Sequence, residues 1–181
     1  DVRDPIYLHW RPKDLMRLIC WRYFKYLEAY DLFLPDVPKD AQWDDHSDVL
    51  RKAWKPYFGG IIKNRKDIEE RTFPYVLRHT QMRPRQLIFL CNEIAKEAQK
   101  RKEFPKFTSG AVMDAIRKNE IHLANEVVNS YKSVYENIGQ IIDALVGERM
   151  MFKGKQLEKI SHRTASAWTK GDYSSLEFKK L

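Results

Sequence analysis

The sequence predicts a mainly α chain, a helical bundle followed by a small helical, winged-helix-like module with little sheet. Apolar residues recur at helical spacing over long stretches, most clearly over 84–102. Pro12 and Pro84 stand where helices start, while Gly59-Gly60 and Gly147 stand where helices end. Strand-like runs are confined to short segments at 6–10 and 150–153. The 181 residues suffice for one domain with a real core or for two small subdomains, and 13% aromatic content argues for packed structure.

The first helix opens at Pro12, with Asp14 in its first turn. Leu15, Leu18, Ile19, Tyr23, Tyr26, Leu27 and Tyr30 fall on one face. Residues 35–47, with two prolines and several aspartates, read as a loop. A short helix is expected over 49–57. Residues 67–79 read as helical in part, with Pro74 near a helix start. The strongest helix covers 84–102, with Leu87, Ile88, Cys91, Ile94, Ala95 and Ala98 as its buried stripe. Its tail, Lys100-Arg101-Lys102, suits the negative end of the helix dipole. Thr108 or Ser109 caps a helix running to about 118. Further helices are expected over 121–135, 138–146 and 156–168, with a loosely held tail from 169. These assignments divide the chain into residues 1–106 and residues 107–181.

The most informative segment is 80–92, T-Q-M-R-P-R-Q-L-I-F-L-C-N. Pro84 fits the first turn of a helix because its missing N–H would have no intrahelical partner there. Arg83 and Arg85 then stand at a helix N-terminus, where backbone N–H groups favour an anion. A guanidinium placed there can grip a phosphate with a bidentate fork, so the segment reads as a phosphate sensor. The bland alternative is a capped helix start with exposed or ion-paired arginines.

The chemistry of an autonomous enzyme is missing from the sequence. It has no G-x-x-x-x-G-K-[ST] loop and no paired aspartates at the end of an apolar strand to hold Mg²⁺. G-x-S-x-G, H-E-x-x-H and C-x-x-C are also absent. Asp44-Asp45-His46-Ser47-Asp48 has metal-ligand residue types, but neighbours in sequence do not converge on one point, and a helix cap is expected instead. His9, His79, His122 and His162 are scattered and form no triad.

These residues resemble the back half of bacterial P-loop ATPases of the AAA-related STAND and KAP-like kind. In that family a helical lid follows the nucleotide-binding core. Its helix opens on a Pro-Arg pair and carries an Asn about two turns later, as Pro84-Arg85 and Asn92 do here. Residues 9–22, H-W-R-P-K-D-L-M-R-L-I-C-W-R, resemble the stretch after the last core strands, and Phe73-Pro74 resembles the element ahead of the lid helix. Tyr131 and Glu136 fall where a small helical or winged-helix domain follows the lid. The resemblance implies that Arg85, with Arg83 as the nearby alternative, reaches the γ-phosphate and reports hydrolysis. It implies that Thr80, Asn92 and Arg22 serve the packing of the lid. ATP and Mg²⁺ would belong to a P-loop domain of the same parent protein, since the Walker segments are absent. The chain opens on Asp1 rather than Met and reads as a piece of something longer.

Two other classes stay open. A net charge of +8 suits an acidic partner. A stand-alone winged-helix-like DNA-binding module would use Lys155, Lys159, His162, Arg163 and Lys170. The basic run 96–106 reads more simply as a solvated helix end. A helical oligomerisation or protein-interaction domain, including a homo-oligomer, would use the five tryptophans (Trp10, Trp21, Trp43, Trp54, Trp168) as anchors. Cys20 and Cys91 read as reduced core residues, which predicts a cytoplasmic protein. No stretch approaches the roughly 18 apolar residues of a membrane span.

Overall fold

A computed structural model describes residues 10–135, 137–147, 153–156, 158–160 and 162. Its elements run α1 (Pro12–Ala29), α2 (His46–Asp48), a π-helical segment (Val49–Trp54), α3 (Lys55–Phe58), β1 (Ile61–Lys63), β2 (Glu69–Arg71), α4 (Thr72–Arg78), α5 (Pro84–Lys100), α6 (Ser109–Tyr131) and α7 (Ile138–Ala144). The fold is mainly helical, as the periodicity predicts, and among the described residues one small sheet pairs β1 with β2. The chain forms two compact units, Asp1–Leu123 and Ala124–Leu181. The boundary expected at 106/107 therefore lies further along, inside the α6 span. Phe107, Ala111, Val112, Ala115 and Ile116 are buried in the same core as α1 and α5, which is why the chain cannot divide ahead of them.

Pro12 occupies the first turn of α1, and Arg11 donates from Nε to Asp14 Oδ2 at 2.8 Å. The helix buries Leu15, Met16, Ile19, Cys20, Phe24 and Leu27. Tyr26 and Tyr30, expected inward, are instead exposed and pack on each other with ring centroids 4.6 Å apart. Leu18 and Tyr23 are half-buried. Leu32, Phe33, Leu34, Val37 and Trp43 of the following loop pack onto the core, so this polar-looking stretch is tethered by its apolar residues. The helix expected at 49–57 starts earlier, at His46, because the Asp45 side chain accepts from Ser47 N–H at 2.8 Å. Gly59, at φ +76°, ends α3 in a conformation that disfavours any other residue.

The hairpin leaves no periodic signal in the sequence. Each strand has three residues, too few for alternation to register, with Ile62 opposite Glu70. Asn64 closes it, its Oδ1 accepting from Lys66 and Ile68 N–H and its Nδ2 donating to Glu70. In α4, Pro74 falls in the first turn as expected. Helix α5 buries Leu87, Leu90, Cys91, Ile94 and Ala98; Leu90 was missing from the expected stripe, and Ile88 and Ala95 are half-buried at its edges. The helices expected at 109–118 and 121–135 are one helix, α6, since no Gly or Pro interrupts the sequence between them. Helix α7 ends near Gly147, at φ +85°. Apart from Trp10 and Lys153, the strand-like runs at 6–10 and 150–153 lie outside the described residues, as do most of the helix expected at 156–168 and the tail.

Candidate functional site at the start of helix α5

The turn ahead of α5 is unusual in its backbone. Gln81 and Met82 both lie in the left-handed region, at φ 48° and 56°. Arg83 N–H donates to Thr80 C=O at 2.9 Å, closing a tight turn around them. Neither residue is glycine, so each costs on the order of 1–3 kcal/mol, and such strain persists only where surrounding structure enforces it. Thr80 anchors the entry to the turn. It is fully buried, its hydroxyl donates to Leu77 C=O at 2.7 Å, and its N–H donates to the same carbonyl at 3.0 Å.

The turn delivers Arg83 to the N-cap of α5 with an extended backbone, and Leu87 N–H donates to Arg83 C=O at 3.0 Å. Pro84 follows in the first turn as predicted, and no acidic residue lies in that turn to oppose an incoming anion. Arg83 is half-buried and Arg85 exposed. Gln86, next along, is 2% exposed, and neither polar atom of its amide has a hydrogen-bond partner among the described residues. The helix behind is anchored by its buried stripe. The two arginines therefore sit on a rigid mount whose N-terminal N–H groups add to their attraction for an anion.

The other residues expected to serve lid packing part company. Thr80 lies beneath the turn. Arg22 and Asn92 are exposed, make no side-chain hydrogen bond with a described residue, and share a cavity of about 270 Å³ between α1 and α5. Neither fixes the helix pair by a hydrogen bond; packing does that. Tyr23, Tyr26, Lys96, Gln99 and Phe104 line the same cavity, and the sequence reading missed them. The spacing of Arg22 with Tyr26 and of Asn92 with Lys96, four residues in each case, was the available signal. Tyr23 donates to Pro105 C=O at 2.6 Å, and burial pushes its hydroxyl pKa upward.

The remaining candidates resolve individually. The basic run ends α5 as a solvated, ion-paired surface: Lys96 meets Glu93 at 2.5 Å, Lys100 meets Glu97 at 2.8 Å, and Arg101 pairs with Asp114. Asp48 accepts from Gln42 N–H at 2.9 Å, and this bond, with Lys52 and Arg51 beside it, holds its carboxyl below the ordinary range. The acidic loop is thus a capping and pairing device. Among the described residues no group of three or more His, Cys, Asp or Glu could hold a metal ion. Trp54 is buried, Trp43 half-buried, and Trp10 and Trp21 exposed; Trp168 lies outside the described residues. Lys155, Lys159 and His162 are exposed, while Arg163, Lys170 and Glu136 lie outside the described residues. Cys20 and Cys91 are buried and free. Among the described residues, no helix is long and apolar enough to cross a membrane.

Comparison with curated proteins and with solved structures gives no significant match. A family model does match, over residues 13–120, from the first turn of α1 into the middle of α6. That span is more than half of the chain and takes in the strained turn, both arginines and the whole of α5. The chain belongs to the family of the FunZ-associated C-terminal helical domain.

Proposed function

We propose that this domain is the lid and coupling part of a larger P-loop ATPase, with Arg85 meeting the γ-phosphate of a nucleotide held elsewhere in the parent protein. The observation that carries the reading is the strained Gln81-Met82 turn. Left-handed non-glycine residues collect at functional sites, and here two in succession stand directly ahead of the Arg83-Pro84-Arg85 segment. The family description, a C-terminal domain associated with FunZ, agrees with a module that accompanies another domain.

The residues of this chain suit a phosphate but not the rest of a nucleotide complex. Arg83 and Arg85 with the α5 N-terminus offer charge and N–H donors, whereas the carboxylates needed for Mg²⁺ do not converge among the described residues. ATP and Mg²⁺ would accordingly be held by the P-loop domain. In this reading Arg85 stabilises the negative charge that develops on the transferred phosphoryl group. Arg83, half-buried at the N-cap, steadies the same anion. Loss of the γ-phosphate releases α5, and because α5 is packed along its length it moves as a rigid element, a hinge-type switch.

Arg85→Ala in the full-length parent protein is expected to lower ATP turnover by about 10³-fold or more, the scale of a phosphate-contacting arginine. Its melting temperature should stay close to that of the unaltered protein, because Arg85 is exposed. Unchanged turnover in that variant and in Arg83→Ala removes the arginines from the mechanism.

A further inference from the structure

A second cavity, of about 670 Å³, lies among α1, the π-helical segment, α3, the hairpin and α4. Its volume falls within the ~300–1,000 Å³ of clefts that take small molecules. Its walls are largely apolar, with Met16, Leu50, Ile61 and Phe73 among them.

Three cations, Lys13, Lys55 and Arg71, also line it, and among the described residues no carboxylate does. All three are exposed, and none forms an ion pair or side-chain hydrogen bond with a described residue. Elsewhere in this unit Arg11, Arg17, Arg65, Arg78, Lys96 and Lys118 each have an acidic partner. The Lys55 stem runs over Gly60, with carbons 3.9 Å from where a Cβ there would stand.

Two buried nitrogens on lining residues also lack partners among the described residues, Nε1 of Trp54 and Nδ1 of His46. An indole N–H can only donate, so the chemistry calls for an acceptor. Trp54 closes the π-helical segment, a distortion that frequently marks functional sites.

We propose that this cavity binds a small amphipathic anion. Its alkyl or aryl body would lie against Met16, Leu50 and Phe73, and its carboxylate or phosphate would be held by Lys13, Lys55 and Arg71. The three cations disfavour a cationic ligand, and the apolar walls disfavour a bare inorganic ion. This site is independent of the α5 arginines, so either assignment can fail without the other.

The test is calorimetric titration of the intact chain with octanoate and octyl phosphate, with octanol and octylammonium as controls. Both anions should bind at one site, about ten-fold or more tighter than octanol, as expected for charge-assisted hydrogen bonds. The variant K13Q/K55Q/R71Q should lose about the same factor with an unchanged thermal melt, since all three side chains are exposed. Sedimentation with phosphatidic acid vesicles then separates the sources. Co-sedimentation lost in the triple variant assigns the anion to a lipid; none assigns it to a free small molecule. Equal binding of octanol and octanoate, an unaffected triple variant, or no binding of either anion overturns the proposal.

Discussion

Helix α5 carries the arginines at one end and Glu97 near the other, and Glu97→Gln tests how that helix is held. The Glu97 side chain is only 8% exposed, and its two oxygens accept from different helices: Lys100 Nζ of α5 at 2.8 Å and Lys118 Nζ of α6 at 2.6 Å. Lys100, then Lys118, hold its carboxyl down at about 2, against an ordinary 4.5. A hydrogen bond to a charged group contributes roughly 1.5–3 kcal/mol when protected from water. The lysines are half or more exposed, at 50% and 67%, so solvent screening reduces the pair to a total of about 1–2 kcal/mol. Gln keeps the shape but turns an NH₂ toward one of the ammonium groups. Urea unfolding of wild type and Glu97→Gln at pH 7 should show that loss, and Lys118→Met should show part of it. Because the folded carboxyl titrates below the unfolded one, its contribution is complete above pH 4.5 and disappears as pH falls through about 2. The gap between the two proteins must therefore close over that window. A gap that is absent at pH 7, or equally large at pH 7 and pH 2.5, would refute the clamp.

Other consequences can be measured directly. Burial pushes the Cys91 thiol up to about 12 and, with Cys91 adjacent, raises Cys20 well above its usual value. Neither should react with iodoacetamide at pH 8 until the chain is unfolded, and fast labelling of the native protein would contradict the burial. Leu90, fully buried in α5, should cost about 3–5 kcal/mol on truncation to Ala, read from the urea midpoint. A cost below 1 kcal/mol there would mean that α5 is not packed as described.

The helical class, the start of α5 at Pro84 and most of its buried stripe are legible in the sequence alone. Those features depend on local rules: proline needs a first turn, and a helix that packs must show its period in apolar residues. The sequence also singled out Arg83 and Arg85, because proline's fixed geometry makes their placement a near-neighbour matter. Everything else depends on contacts between residues distant in the chain. The left-handed Gln81-Met82 turn follows directly on the buried Thr80, and no local preference of Gln or Met foretells it. Tyr26 and Tyr30 belong to the same helical period as the core of α1 yet face outward, because which residues are buried depends on what packs against the helix. The cavity holding Lys13, Lys55 and Arg71 draws on residues far apart in the chain, so no spacing rule could have joined them. The unit boundary follows the same logic, since burial of Phe107, Val112 and Ile116 against α1 and α5 is a long-range fact.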